Sequence, residues 1–231
     1  YIVVANHTTE VDPITVAYAP FISGALPRFL AKDSLFRAPV LGWLMCKMAH
    51  IPVIRGSVDA RKSLITARSV VEAGGAVVIF PEGTTTHDPD TWPMQARTGA
   101  ARLALATGAP VIPVAHWGDE QILSYEYVDG PDGKKKEKRK VSLWPRKTVH
   151  VKIGQPMNIA ALVDDPSPQA KRTRTELNIV TEAMMDEITA LLAHIRGEQA
   201  PKGRWNPKTK HRELPGETTG VTGTLGEPDE N

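Results

Sequence analysis

The sequence predicts an α/β fold with a mostly parallel central sheet flanked by helices. Short Val/Ile-rich runs alternate with longer segments whose apolar residues recur every three to four positions, the pattern of parallel strands joined by crossover helices. Several of the short runs, Ala76-Val77-Val78-Ile79-Phe80 among them, are apolar throughout, as strands buried on both faces must be.

In order, strands are expected at Tyr1–Ala5, Arg28–Ala31, Ile51–Ile54, Ala76–Phe80, Val111–Ala115 and Val149–Ile153, and helices at Pro13–Ala19, Val40–Met48, Asp59–Glu72, Gly99–Thr107 and Gln169–Ile195. Gly74-Gly75 and Gly108 stand where helix C-terminal caps belong. Asp129 to Arg139, with Gly-Pro-Asp-Gly and a basic run, reads as an exposed loop. Periodicity ends near Gly197, so residues 1–196 are expected to form one catalytic domain and 197–231 an extended or disordered tail.

Among the 231 residues, 41% are apolar and 23% charged, which suits a globular core, and a formal charge of +2 implicates no nucleic acid. Cys46 is the only cysteine. An intrachain disulfide and a multi-cysteine zinc site are therefore excluded, and a reducing compartment fits. Its apolar neighbours predict an inert, buried thiol. No run approaches the roughly 18 apolar residues of a membrane-spanning helix. The chain opens directly on a strand without methionine, so it reads as N-terminally trimmed, with room for a membrane anchor before Tyr1.

The first chemically informative segment is Asn6-His7-Thr8-Thr9-Glu10-Val11-Asp12, directly after the first strand. Fully extended, it would hold His7 and Asp12 about 17 Å apart. One continuous helix would rotate them by roughly 500°, onto different faces. They meet only if the chain turns sharply, with Asp12 as N-cap and Pro13 at the first helical position. A histidine there can take a proton from a substrate hydroxyl while the carboxylate behind it fixes the tautomer. The alternative, a capping Asp12 beside an idle loop histidine, is not excluded by this segment alone.

A second segment, Pro81-Glu82-Gly83-Thr84-Thr85-Thr86, follows the strand at Ala76–Phe80. Ligands in open parallel sheets bind beyond the carboxyl ends of strands, and His7 and Glu82 both lie at such ends. Val111 to Ala115 runs into His116-Trp117-Gly118 at the same edge. Arg55, just past Ile51–Ile54, is a candidate phosphate anchor, as is Arg97 before a helix start; either could equally be a solvated surface arginine. His87, His116, His150 and His211 lack ligand spacing and read as surface or core histidines.

Taken together, Asn6-His7-(four residues)-Asp12, Ile54-Arg55-Gly56, Phe80-Pro81-Glu82-Gly83-Thr84 and Val111-Ile112-Pro113-Val114 resemble, in this order, the glycerolipid acyltransferase family, and most closely its PlsC-type 1-acyl-sn-glycerol-3-phosphate acyltransferases. The resemblance implies a glycerol-3-phosphate acyltransferase-like fold, His7 as general base and Asp12 as its partner. It implies Arg55 on the acceptor phosphate and Glu82, Gly83 and Thr84 in the acceptor site. It further implies an acyl-CoA or acyl-carrier-protein donor, no cofactor and no metal. The acceptor would be a lysophospholipid, 1-acyl-glycerol-3-phosphate, acylated at its sn-2 hydroxyl to phosphatidate. The enzyme would sit peripherally or monotopically on the cytoplasmic face of a membrane. One departure is visible: Thr85 and Thr86 follow the Glu-Gly-Thr triplet where many relatives carry arginine. Either Arg97 compensates, or the acceptor bears a different headgroup.

The mixture of apolar and basic residues between Arg28 and His50 could dip into a membrane interface, although core packing explains many of them equally well. Two rival functions remain open: a metal-dependent hydrolase with His7, Asp12 and Glu82 as ligands, and a binding module built on the basic run Lys134 to Lys140 and Trp144.

Overall fold

The computed structural model describes residues 1–53, 59–129 and 135–214, with side chains for all of these except 59–61 and 125–138. Its centre is a six-stranded sheet of β1 (Ile2–Ala5), β2 (Pro27–Lys32), β3 (Ile51–Val53), β4 (Ala76–Ile79), β5 (Val111–Trp117) and β8 (His150–Ile153), in the spatial order β3-β2-β4-β1-β5-β8. Every pairing is parallel except that of β5 with the edge strand β8. The expected mostly parallel sheet is therefore present.

Alternation along β1 shows why these strands are apolar throughout. Ile2 and Val4 join a cluster containing Val77, Ile79, Leu103, Met184 and Ile188. Val3 and Ala5 join Val78, Val114, Val16 and Ala19 in another. Both faces are thus covered, as parallel sheets require. The first cluster is supplied by α4 (Asp59–Glu72), α5 (Gly99–Thr107) and α6 (Arg174–Arg196), the second by α1 (Asp12–Val16) and α2 (Tyr18–Ile22). Ala100, Ala101 and Ala104 keep α5 slim enough to pack closely. A capping box between Thr173 and Glu176 starts α6, five residues later than its expected start at Gln169, and Gly197 ends it in the left-handed conformation that glycine favours.

Three expectations need correction. The basic stretch read as a loop is half of an antiparallel ribbon: β6 (Leu123–Asp129) pairs with β7 (Lys135–Val141), setting Glu126 opposite Lys138 and Asp129 opposite Lys135 in register. Composition alone marks such a run as solvated, and a strand within it leaves no apolar alternation to read. The stretch from Gly197, expected to be extended or disordered, contains a second ribbon, β9 (Arg204–Asn206) with β10 (His211–Glu213). Ion pairs with one enclosed partner each hold it: the buried Arg204 with Glu182 and Asp186 of α6, and Arg212 with the buried Asp88. Polar anchors of this kind leave no apolar periodicity to read. Cys46, on α3 (Pro39–Lys47), is exposed rather than buried.

Exposed apolar side chains gather on two short helical regions. Val40, Trp43, Leu44 and Met48 lie exposed on or beside α3, and Ile14, Tyr18, Phe21 and Ile22 on α1 and α2. No helix among the described residues is long and apolar enough to cross a membrane.

Candidate active site

Strand order assembles the site. β4, β1 and β5 are adjacent and parallel, so the residues following them emerge side by side at one edge: Glu82 after β4, His7 after β1 and His116 near the end of β5.

His7 and Asp12 meet, with Nδ1 of His7 2.8 Å from Oδ2 of Asp12, so the sharp turn their contact needs is present. Asp12 is not the helix cap, however. The cap position falls on Val11, and Asp12 is the first helical residue, with Pro13 next. Its carboxylate turns back on the loop and accepts the backbone N–H of Thr8 at 2.5 Å, that of Thr9 at 2.9 Å and the Thr9 hydroxyl at 2.6 Å. Burial opposes the charge on Asp12, yet the His7 hydrogen bond, the neighbouring His116 and the Thr9 hydroxyl together hold its pKa below the usual carboxylate value. An ionised Asp12 accepts a proton-bearing Nδ1 from His7, which leaves Nε2 as the basic nitrogen. The His7 side chain keeps 15% of its surface exposed and its ring stacks on Phe80 at 4.2 Å, whereas Asp12 is wholly enclosed. The pair therefore offers one supported, accessible base.

Glu82 lies at the same edge but faces inward. Its Oε1 accepts the backbone N–H of His7 at 3.0 Å and its Oε2 that of Met94 at 3.0 Å. Burial pushes its pKa up to about 8 against both of those donors. It braces the His7 loop and is only 3% exposed. Gly83 adopts φ +75°, and a Cβ there would press on the Arg97 side chain at 3.2 Å. Arg97 is exposed, and its backbone N–H is tied to the Pro81 carbonyl at 2.9 Å. Thr84 is half-buried in the bend, and the Thr86 N–H donates to the His7 carbonyl at 2.6 Å. A cavity of about 180 Å³ opens beside this bend, lined among others by Leu30, Lys32, Phe80, Gly83 and Arg97. Arg55, with Gly56 and Ser57, lies outside the described residues.

Two contributors were missed from sequence. Lys32, at the end of β2, shares a cavity with Arg97; its position at a strand's carboxyl end was the available signal. His116 is more than a core histidine. Its Nδ1 lies 2.6 Å from Oδ2 of Asp119 and its Nε2 2.8 Å from the Asn6 carbonyl and 3.6 Å from Asp12. The Asn6 side chain brackets the His116 backbone, donating to its carbonyl and accepting its N–H, both at 3.0 Å. Among the described residues Asp12, His116 and Asp119 group like metal ligands, within 4.8 Å of one another. Both His116 nitrogens already face oxygen acceptors, so neither offers a lone pair to a cation. The hydrolase triad of His7, Asp12 and Glu82 does not converge either, since Glu82 is spent on two backbone N–H groups.

A buried carboxylate hydrogen-bonded to an accessible imidazole thus lies at the carboxyl edge of a parallel sheet, beside an open cavity. The chain belongs to the acyltransferase family, whose family model matches residues 1–117. Over 124 residues it is 32% identical to a chloroplastic 1-acyl-sn-glycerol-3-phosphate acyltransferase of Brassica napus, an alignment covering 52% of this chain and 33% of that protein. It is 33% identical over 117 residues to a 1-acyl-sn-glycerol-3-phosphate acyltransferase of Borreliella burgdorferi, covering 49% and 44%. It is 35% identical over 113 residues to a lyso-ornithine lipid O-acyltransferase of Pseudomonas aeruginosa, covering 48% and 41%. The chain thus spans less than half the length of each of these relatives.

Proposed function

We propose that this chain transfers a fatty-acyl group from a thioester, acyl-CoA or acyl-carrier protein, to the sn-2 hydroxyl of 1-acyl-glycerol-3-phosphate. The observation that carries the reading is the 2.8 Å contact between His7 Nδ1 and a fully enclosed Asp12, with the His7 ring still reachable from solvent. In this mechanism Nε2 of His7 takes the hydroxyl proton as the oxygen attacks the thioester carbonyl, and Asp12 stabilises the imidazolium. Collapse of the tetrahedral adduct breaks the C–S bond. The departing thiolate then recovers the proton from His7, leaving phosphatidate and a free thiol.

Arg97 and Lys32, on one cavity with Gly83 and next to Thr84, would receive the acceptor's phosphate, with Arg55 as a further anchor. The names of two relatives favour lysophosphatidate, while that of the Pseudomonas protein keeps a lysolipid without phosphate as the second acceptor class. The exposed apolar side chains of α1, α2 and α3 would rest on the cytoplasmic face of a membrane, where such acceptors reside.

The test is acyl transfer by the full chain from a labelled thioester to a panel of lysophospholipids and lyso-ornithine lipid. Turnover of lysophosphatidate, lost about a hundredfold or more in His7→Ala, supports the reading. Near-full turnover by that variant would sink it.

A further inference from the structure

We propose that His116 is a positioning residue for this reaction: a buried imidazolium, clamped by Asp119 and the Asn6 carbonyl, whose positive charge offsets that of Asp12 and sets the pH range in which His7 is free to take a proton. The inference rests on the general-base reading above.

Hydrogen-bond chemistry carries it. A backbone carbonyl has no proton to give, so the 2.8 Å contact to the Asn6 oxygen requires a hydrogen on Nε2. The 2.6 Å contact to Oδ2 of Asp119 holds a hydrogen between that oxygen and Nδ1, and the Asp12 carboxylate 3.6 Å from the ring favours it on Nδ1. An imidazole with hydrogens on both nitrogens is a cation. Burial alone would push His116 toward its neutral form; the Asp119 hydrogen bond and the Asp12 charge outweigh it and raise its pKa.

This cation is placed where it matters. Its Nε2 lies 3.6 Å from Oδ2 of Asp12, the oxygen bonded to His7. Water cannot screen the contact, since both side chains are fully buried. A bare carboxylate beside His7 would draw a proton onto the imidazole and hold it there, which is the wrong state for a base. The neighbouring cation weakens that pull.

The other charged groups around His116 are accounted for. β8 sets His150 and Lys152 on either side of Val151, the residue opposite His116, and α6 brings Arg196 over the adjoining Trp117. None of these three shares a hydrogen bond or ion pair with His116 among the described residues. Glu82, from the β4 bend, is held largely protonated at neutral pH by burial. Gly118 makes the geometry possible: at φ +112° it carries the chain from His116 to Asp119, and a Cβ there would collide with the Thr148 carbonyl.

Two measurements on the full chain decide it. In His116→Gln, the acidic limb of the kcat/KM profile should move up by about one pH unit, the effect of removing a unit charge at this range in a protein interior. A lowered plateau with an unmoved limb would mean packing alone and overturn the proposal. Second, ring-nitrogen NMR of the unmutated chain labelled at histidine should show both His116 nitrogens protonated at neutral pH; one bare nitrogen overturns the proposal without any variant. This second readout needs no turnover. A chain that acylates none of the lysolipids would therefore defeat the proposed function while leaving the charge of His116 separately decided.

Discussion

The backbone N–H of His7 donates to Oε1 of Glu82 at 3.0 Å, so a side chain from the end of β4 holds the loop that leaves β1. The brace is itself titratable. Its pKa is raised from 4.5 to about 8, so the folded protein holds a proton on Glu82 that the unfolded chain has already released. Below about 4.5 that contribution to stability is complete, and it is lost as pH rises towards about 8. In Glu82→Gln this loss, on the order of a few kcal/mol, should vanish. Urea unfolding across that interval checks it: the parent's midpoint falls with pH more steeply than the variant's.

Asp12→Asn should damage both catalysis and folding. The amide keeps one acceptor oxygen but turns an NH2 toward the Thr8 and Thr9 donors, and it leaves the His116 cation with less compensation. We expect kcat to fall by about a hundredfold or more and stability by about 2–4 kcal/mol. Steady-state kinetics together with denaturant unfolding measure the two losses.

Gly83→Ala and Arg97→Ala should converge on acceptor binding. The first forces an alanine into a φ of +75° and presses on Arg97, at a cost of about 1–2 kcal/mol. The second removes the guanidinium. Both should raise the KM for lysophosphatidate, while the KM for lyso-ornithine lipid stays unchanged in Arg97→Ala. An equal rise for both acceptors would take Arg97 off the phosphate.

Arg212→Ala should lower stability by about 2 kcal/mol, because it strands Asp88, whose side chain is fully enclosed. Thermal unfolding reads it, and limited proteolysis should report faster cleavage in the segment between Thr86 and Gln95.

Much of this was legible in the chain. The strands of the sheet announced themselves because burial on both faces admits only apolar residues, and spacing with a nearby helix start allowed His7 and Asp12 to meet without requiring it. What composition concealed was held by polar contacts. The ribbon of β6 and β7 is paired along a basic run, and the β9–β10 ribbon is held by arginine ion pairs, neither of which leaves an apolar period. The role of Glu82 was hidden for a related reason: a carboxylate at a strand end looks the same in sequence whether it meets solvent, a ligand or two backbone N–H groups. His116 stood at the right edge, but its significance depends on Asp119 and Asn6, and only the folded chain brings Asn6 beside it.

The match to the acyltransferase family model ends at residue 117, yet the mechanical support of the reactive loop does not. The Trp205 carbonyl takes the Gln95 N–H at 3.0 Å, the adjacent Met94 N–H holds Glu82, and Glu82 holds His7. Three short links thus run from the far end of the chain to its seventh residue. A fragment cut where the family model's match ends would keep His7, Asp12 and Glu82 but lose the Trp205 end of this chain of contacts.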